Sequence, residues 1–286
     1  MSEKRDGPTV DNAVIAINAI KPYISMLRVR YLNGLQYRAA ALGGLATQFF
    51  WGLMLVFTYK AFYGDAGSSG GFAFKDLISF VWLQQAFLAF IFLYDWDYEM
   101  FGLIQSGDVC YELCRPVNLY PLWYVRQLSK RLATGSLRFA PVVIMGFLMP
   151  FPYNLSPPAS FTALLLFIVT LFLGLALLVA VSMLAFISIF KTMSPIGSMS
   201  LFGILGEFFA GMTIPIPLMP FWLQDLCSYM PFRYMSDLPL RAYSGSIGAP
   251  EALKGICAQV FWLAALVLIG SRLMKRITRL TVTQGG

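Results

Sequence analysis

Ser160 to Phe190 reads SFTALLLFIVTLFLGLALLVAVSMLAFISIF, 31 residues without a charge. At 1.5 Å per residue a helix of that length reaches roughly 46 Å, well beyond the roughly 30 Å hydrocarbon core of a bilayer. It is too short for two passes and a turn. The stretch predicts one tilted helix that crosses a membrane and projects beyond it.

Five further apolar segments surround it, at about 40–63, 77–94, 132–150, 196–215 and 253–271. Each is close to the ~20 residues that one crossing needs. Composition agrees, with 58% of the 286 residues apolar and only 12% charged. Soluble domains average roughly 45–50% and about 25%. The expected fold is an all-α membrane protein with six transmembrane helices in one domain, 1–286. A tail and interfacial helix would occupy 1–38, the six-span bundle 40–271, and a second tail 272–286.

Basic residues orient the spans. With the N-terminus inside, internal segments hold 15 of the 21 Lys and Arg. Lys75, Arg233 and Arg241 fall outside, and Lys60, Arg138 and Lys254 lie at span edges. Such a bias follows the positive-inside rule and places both termini in the cytosol. It also explains the net charge of +7 as topology, with no nucleic acid implied. Lys60 and Arg138 are expected to snorkel to the two interfaces. The polar opening MSEKRDGPTVDN lacks an apolar region with a cleavage site, so no leader is expected.

Histidine is absent, which removes Ser-His-Asp triads, imidazole relays and His-based metal sites. Cys110 and Cys114 share a helix face, but no second pair accompanies them. They read as small apolar side chains, not metal ligands.

Three connections carry content. Pro22 to Arg38 repeats Tyr23, Met26, Leu27, Tyr31 and Leu35 near helical spacing, with Arg28 and Arg30 among them. It predicts an amphipathic helix along the cytosolic surface. The inner loop, 95–131, opens on Asp95, Asp97 and Glu99 and meets Arg115-Pro116, predicting a short helix that stops there. The outer loop, 213–250, holds Pro215, Pro217, Pro220, Pro231, Pro239 and Pro250. Prolines forbid one continuous helix, yet the segment is too apolar for solvent. Short broken helices re-entering the outer leaflet between spans five and six reconcile both features.

At these residues the chain resembles the permease subunits of type-2 ABC exporters. The likeness is carried by GLQYRAAALGGLATQFFWG (34–52), SGDVCYELCRPVNLYP (106–121) and PIPLMPFWLQDLCSYMPFRY (215–234), and by topology over nearly the whole chain. The resemblance implies a permease dimer, of identical or paralogous copies, in a bacterial plasma (inner) membrane. Separate ATPase subunits would drive export of an amphiphilic drug, peptide, lipid or glycan. ATP and magnesium would belong to those partners, with no cofactor bound here. In keeping with that, no G-x-x-x-x-G-K-[ST] run exists in the chain. The alternatives are a gradient-driven carrier or channel, which would place ionisable residues in its spans, and a membrane-embedded enzyme, for which no clustered carboxylates are seen.

The resemblance also implies a coupling helix docked in an ATPase cleft, here about Asp97 to Arg115. Met100, Phe101, Leu103 and Ile104 would fill the cleft, and Asp97, Glu99 and Asp108 would pair with basic residues at its rim. Glu207 in GILGEFFAGM is the acid deepest in a span and, with Gln84 and Gln85, a candidate for the translocation path or the dimer seam. Gly43, Gly44 and Gly52 suggest close helix contact. Trp222, Leu226 and Phe232, held at the outer leaflet by prolines, are candidates for an outer gate.

Overall fold

A computed structural model describes residues 8–36, 38–63, 68–69, 72–93 and 96–280; side chains of 8–19, 38–41, 68–69, 72 and 280 are outside the description. The architecture is helical. Helices α1 (Pro8–Gly34) and α2 (Arg38–Tyr63) lead to a two-residue ladder pairing Ser68–Ser69 with Phe72–Ala73. Then come α3 (Phe74–Ala86), α4 (Leu88–Ile91), α5 (Tyr98–Ser106), α6 (Val109–Leu113) and α7 (Leu119–Leu148). The chain ends with α8 (Phe161–Thr192), α9 (Pro195–Phe209), a 3₁₀ turn (Ile216–Leu218), α10 (Phe221–Ser228), α11 (Arg233–Ser244) and α12 (Ala249–Leu280).

Among the described residues, four helices are long and apolar enough to cross a membrane: 42–63, 119–148, 161–192 and 249–279. The uncharged stretch is one helix, as its length requires. Ser160 caps its start, accepting from Ala163 N at 3.0 Å, and Met193 in the left-handed region ends it. This α8 is the axis of the molecule. Leu175, Leu177, Leu178, Val179, Ala180, Met183, Ala185 and Phe186 have no exposed surface, with α12, α11, α9, α7, α5 and α4 packed around them. Gly174 lets α11 approach, since a Cβ there would lie 2.8 Å from the Met235 carbonyl.

The other two expected spans are less regular. The 77–94 segment is interrupted at Phe87, which leaves the helical conformation between α3 and α4. The 196–215 segment is helical only to Phe209 and then turns through Gly211, at φ +74°. Only Gly accepts that backbone cheaply. Gln84 fixes the turn, donating from its amide to the Met212 carbonyl at 2.8 Å. The third segment starts earlier than 132, because α7 extends back through the polar residues Arg126 to Arg131. The proline-rich stretch 213–250 is broken into three short helical pieces, with Pro215 just before the first, Pro220 and Pro231 between them and Pro239 inside α11.

Helix α1 is longer than the amphipathic pattern suggested and continues through Pro22. Its Tyr23, Leu27 and Tyr31 face is spent on α7. Ser129 donates to the Leu27 carbonyl at 2.7 Å, Tyr31 to Ser136 at 3.1 Å, and the Asn118 amide to the Tyr23 hydroxyl at 3.1 Å. Ile20, Ile24, Val29 and Leu32 remain exposed on its other sides.

Candidate functional site

The segment 96–131 is built as a clamp. Asp97 caps α5 by accepting from the Glu99 amide at 3.1 Å, and Gly107, at φ +81°, ends the helix. The single helix expected over Asp97 to Arg115 is therefore two, α5 and α6, angled at a glycine. The stop near Arg115 holds, with α6 ending at Leu113.

Met100, Phe101 and Ile104 point into this chain, at 0%, 3% and 4% exposure. Phe101 packs on Trp96 and Phe186, with ring centroids 6.0 and 5.0 Å apart. These three are corrected from cleft-filling anchors to core residues: α5 is amphipathic, and α8 takes its apolar face. Leu103 is half-buried and Asp108 exposed, its carboxylate accepting from the Ser106 hydroxyl at 2.6 Å. Arg115 is exposed.

The acids are also paired within the chain. Arg30 of α1 donates twice to Glu99, at 3.0 and 3.2 Å. Arg126 of α7, almost wholly buried, bonds Asp97 at 2.9 Å and reaches Glu99 at 2.7 Å. Two arginines and two carboxylates thus tie α1, α5 and α7 together. The Arg30 fork holds the Glu99 carboxyl below its ordinary range, partial burial opposes this, and Arg126 adds to the lowering. The same bond raises Arg30. Asp95 lies outside the described residues.

Sequence reasoning missed the anchor behind this clamp. Arg131 is fully buried and donates to the carbonyls of Ala89 and Phe92 at 3.1 and 2.7 Å and of Leu93 at 3.4 Å. Lys130 donates to the Trp96 carbonyl at 2.7 Å. Together they tie the ends of α4 and α5 to α7. Counted for orientation alone, these cations gave no sign that backbone carbonyls would be their partners.

With the apolar face inward, another face is left outward. Tyr98, Tyr111 and Leu113 are 72%, 71% and 38% exposed, and Cys114 is exposed. Of these, Leu113 lines a cavity of about 270 Å³ that opens between Val117–Pro121 and the end of α12, where Met274, Lys275 and Thr278 line it.

The remaining candidates are scattered. Gln84 is buried and committed to the Met212 carbonyl, and Gln85 is buried with its Cγ against Gly52. Glu207 on α9 is half-buried, with no side-chain bond among the described residues. Trp222 and Leu226 are exposed on α10, and Phe232 stacks on Phe209 with centroids 6.3 Å apart. A buried carboxylate, Asp237, sits among them on α11, bridged to Arg233 at 3.3 Å and Arg241 at 3.7 Å. Gly44 and Gly52 mark close contacts, whereas Gly43 faces open space. Lys60 is exposed and bonds the Tyr153 hydroxyl, and the Arg138 guanidinium lies against Gly44.

No group of three or more Cys, Asp or Glu among the described residues could hold a metal ion. Comparison with family models, curated proteins and solved structures returns no match.

Proposed function

We propose that the chain is the transmembrane subunit of an ATP-driven exporter, working as a permease dimer with separate ATPase subunits. The observation that carries this reading is the α5–α6 segment. It is clamped by Arg30, Arg126 and Lys130 to two other helices, α1 and α7, yet presents Tyr98, Tyr111 and Leu113 outward, with Leu113 lining a cavity. A permease uses ATPase motion only through a rigid element docked on the moving subunit. Exposed aromatic side chains beside a cleft are the usual anchors of such docking.

In this reading α2, α7, α8 and α12 are joined by two shorter crossings, α3–α4 and α9, to make six spans. The termini and the α5–α6 end face the cytosol of a bacterial plasma membrane. The proline-broken pieces from Ile216 to Ser244 re-enter the outer leaflet, where Trp222, Leu226 and Phe232 gate release of an amphiphilic cargo. Membrane lipids and a second permease copy or paralogue cover the exposed apolar surface.

The test is purification of the tagged chain from its native membrane. A partner carrying a phosphate-binding loop should copurify, and transport should cease on ATP depletion. A gradient-driven carrier is the second reading, favoured by Glu207, whose carboxyl has no bonded partner among the described residues. That reading requires transport that survives ATP depletion and stops with an uncoupler.

A further inference from the structure

Arg138 belongs to none of these roles. It sits in α7, and its guanidinium occupies a notch in α2. A Cβ added to Gly44 would lie 2.6 Å from both Cζ and Nη2 of Arg138. Its Nε is buried without a hydrogen-bond partner, and no carboxylate among the described residues pairs with it. Arg131 and Arg241 also leave a buried Nε unbonded, but their Nη1 atoms reach a backbone carbonyl and the Asp237 carboxylate, and Arg30, Arg126 and Arg233 pair with carboxylates.

An arginine in a membrane span is costly to insert, so such residues pair or meet an ion. The position fits an anion at headgroup depth. Gly44 lies in the first turn of the apolar stretch 42–63, and Arg138 is about 10 Å along α7 from the buried Arg131. The surroundings are open and apolar. Gly43 faces open space, Leu42 is 67% exposed, and Phe139 is 41% exposed. A ligand reaching the guanidinium from that side would have a charged head and lie with its chains on α2 and α7. Arg's planar fork suits phosphate, which it can bind with two hydrogen bonds.

We infer that Arg138, seated on Gly44, binds the phosphate of an anionic phospholipid headgroup between α2 and α7. The inference rests on the membrane reading and its orientation, and does not require an ATPase. Its measurement therefore fails independently of the exporter proposal.

The experiment is native mass spectrometry of the purified chain in detergent with phosphatidylglycerol or phosphatidylcholine, alongside thermal melting. The wild-type chain should hold one phosphatidylglycerol tightly and phosphatidylcholine weakly. Losing one charge-assisted bond should weaken phosphatidylglycerol about tenfold in Arg138→Gln. Arg138→Lys should fall between, because a point charge replaces the fork. Gly44→Leu keeps the charge but fills its seat, and should weaken binding as Arg138→Gln does. Equal phosphatidylglycerol affinity in wild type and a normally melting Arg138→Gln would overturn the inference. So would displacement of the lipid by inorganic phosphate alone, which would mark a free-anion site. If Arg138→Gln does not fold, Gly44→Leu decides alone: unchanged affinity there contradicts the site.

Discussion

A fully buried guanidinium is tolerable in Arg131 because three carbonyls surround it, those of Ala89, Phe92 and Leu93. The α4 helix ends at Ile91, so no following turn supplies the amides that would otherwise donate to them. Arg131→Ala would strand several buried acceptors at once and should cost about 3 kcal/mol or more, read as a lowered denaturation midpoint. A change near zero would mean that solvent reaches those carbonyls. Gly211→Ala should cost about 1 kcal/mol by forcing a Cβ into a left-handed backbone position, with the side chain of Ile216 only 2.9 Å away. Residue types were readable in the sequence, but partners were not. Arg126 and Arg131 carry the same charge, and only the fold decides that one meets carboxylates and the other carbonyls.

Among elements, α5 shows what a helical pattern can and cannot say. Its apolar positions Met100, Phe101 and Ile104 recur on one face, and the pattern identifies that face correctly. It does not say whether the face meets this chain or a partner, because burial looks the same in either case. The structure assigns it to α8, which moves the expected docking anchors to Tyr98, Tyr111 and Leu113. Phe101→Ala should therefore lower stability by about 3 kcal/mol. Tyr111→Ala should leave melting unchanged while weakening ATPase association, measured by copurification. If Phe101→Ala melts normally yet loses the ATPase, the inward assignment is wrong.

The clamp on the same element has a pH signature. Glu99 titrates below its ordinary range in the folded chain, so its pairing with Arg30 is fully present above that ordinary value. It is lost as pH falls through the lowered folded value. Protection factors of the α5 amides, corrected for the intrinsic pH dependence of exchange, should fall on acidification below the usual glutamate range, and Glu99→Gln should remove that dependence. The pair is partly exposed, so the effect on global melting should be small.

The whole molecule was legible where length and charge were extreme. The uncharged 31-residue run could only be one long helix, and it became the axis on which the others pack. Spans two and five were less so, because hydropathy does not register a break at Phe87 or a turn at Gly211. The proposed orientation can be read from native thiols. Cys114 is exposed beyond α6, whereas Cys227 is buried. A variant keeping only Cys114 should react with a membrane-impermeant maleimide in inverted vesicles and not in intact cells. Labelling from outside would reverse the topology.

The proposed docking of a nucleotide-driven subunit on the α5–α6 face can be probed by crosslinking in the native host. A photoreactive residue would replace Tyr111 on that face or Trp222 on α10, both largely exposed. Position 111 should give a covalent adduct with a protein carrying a phosphate-binding loop, and position 222 none. Absence of that adduct at 111 in transport-competent cells, or its appearance at 222, would contradict the account.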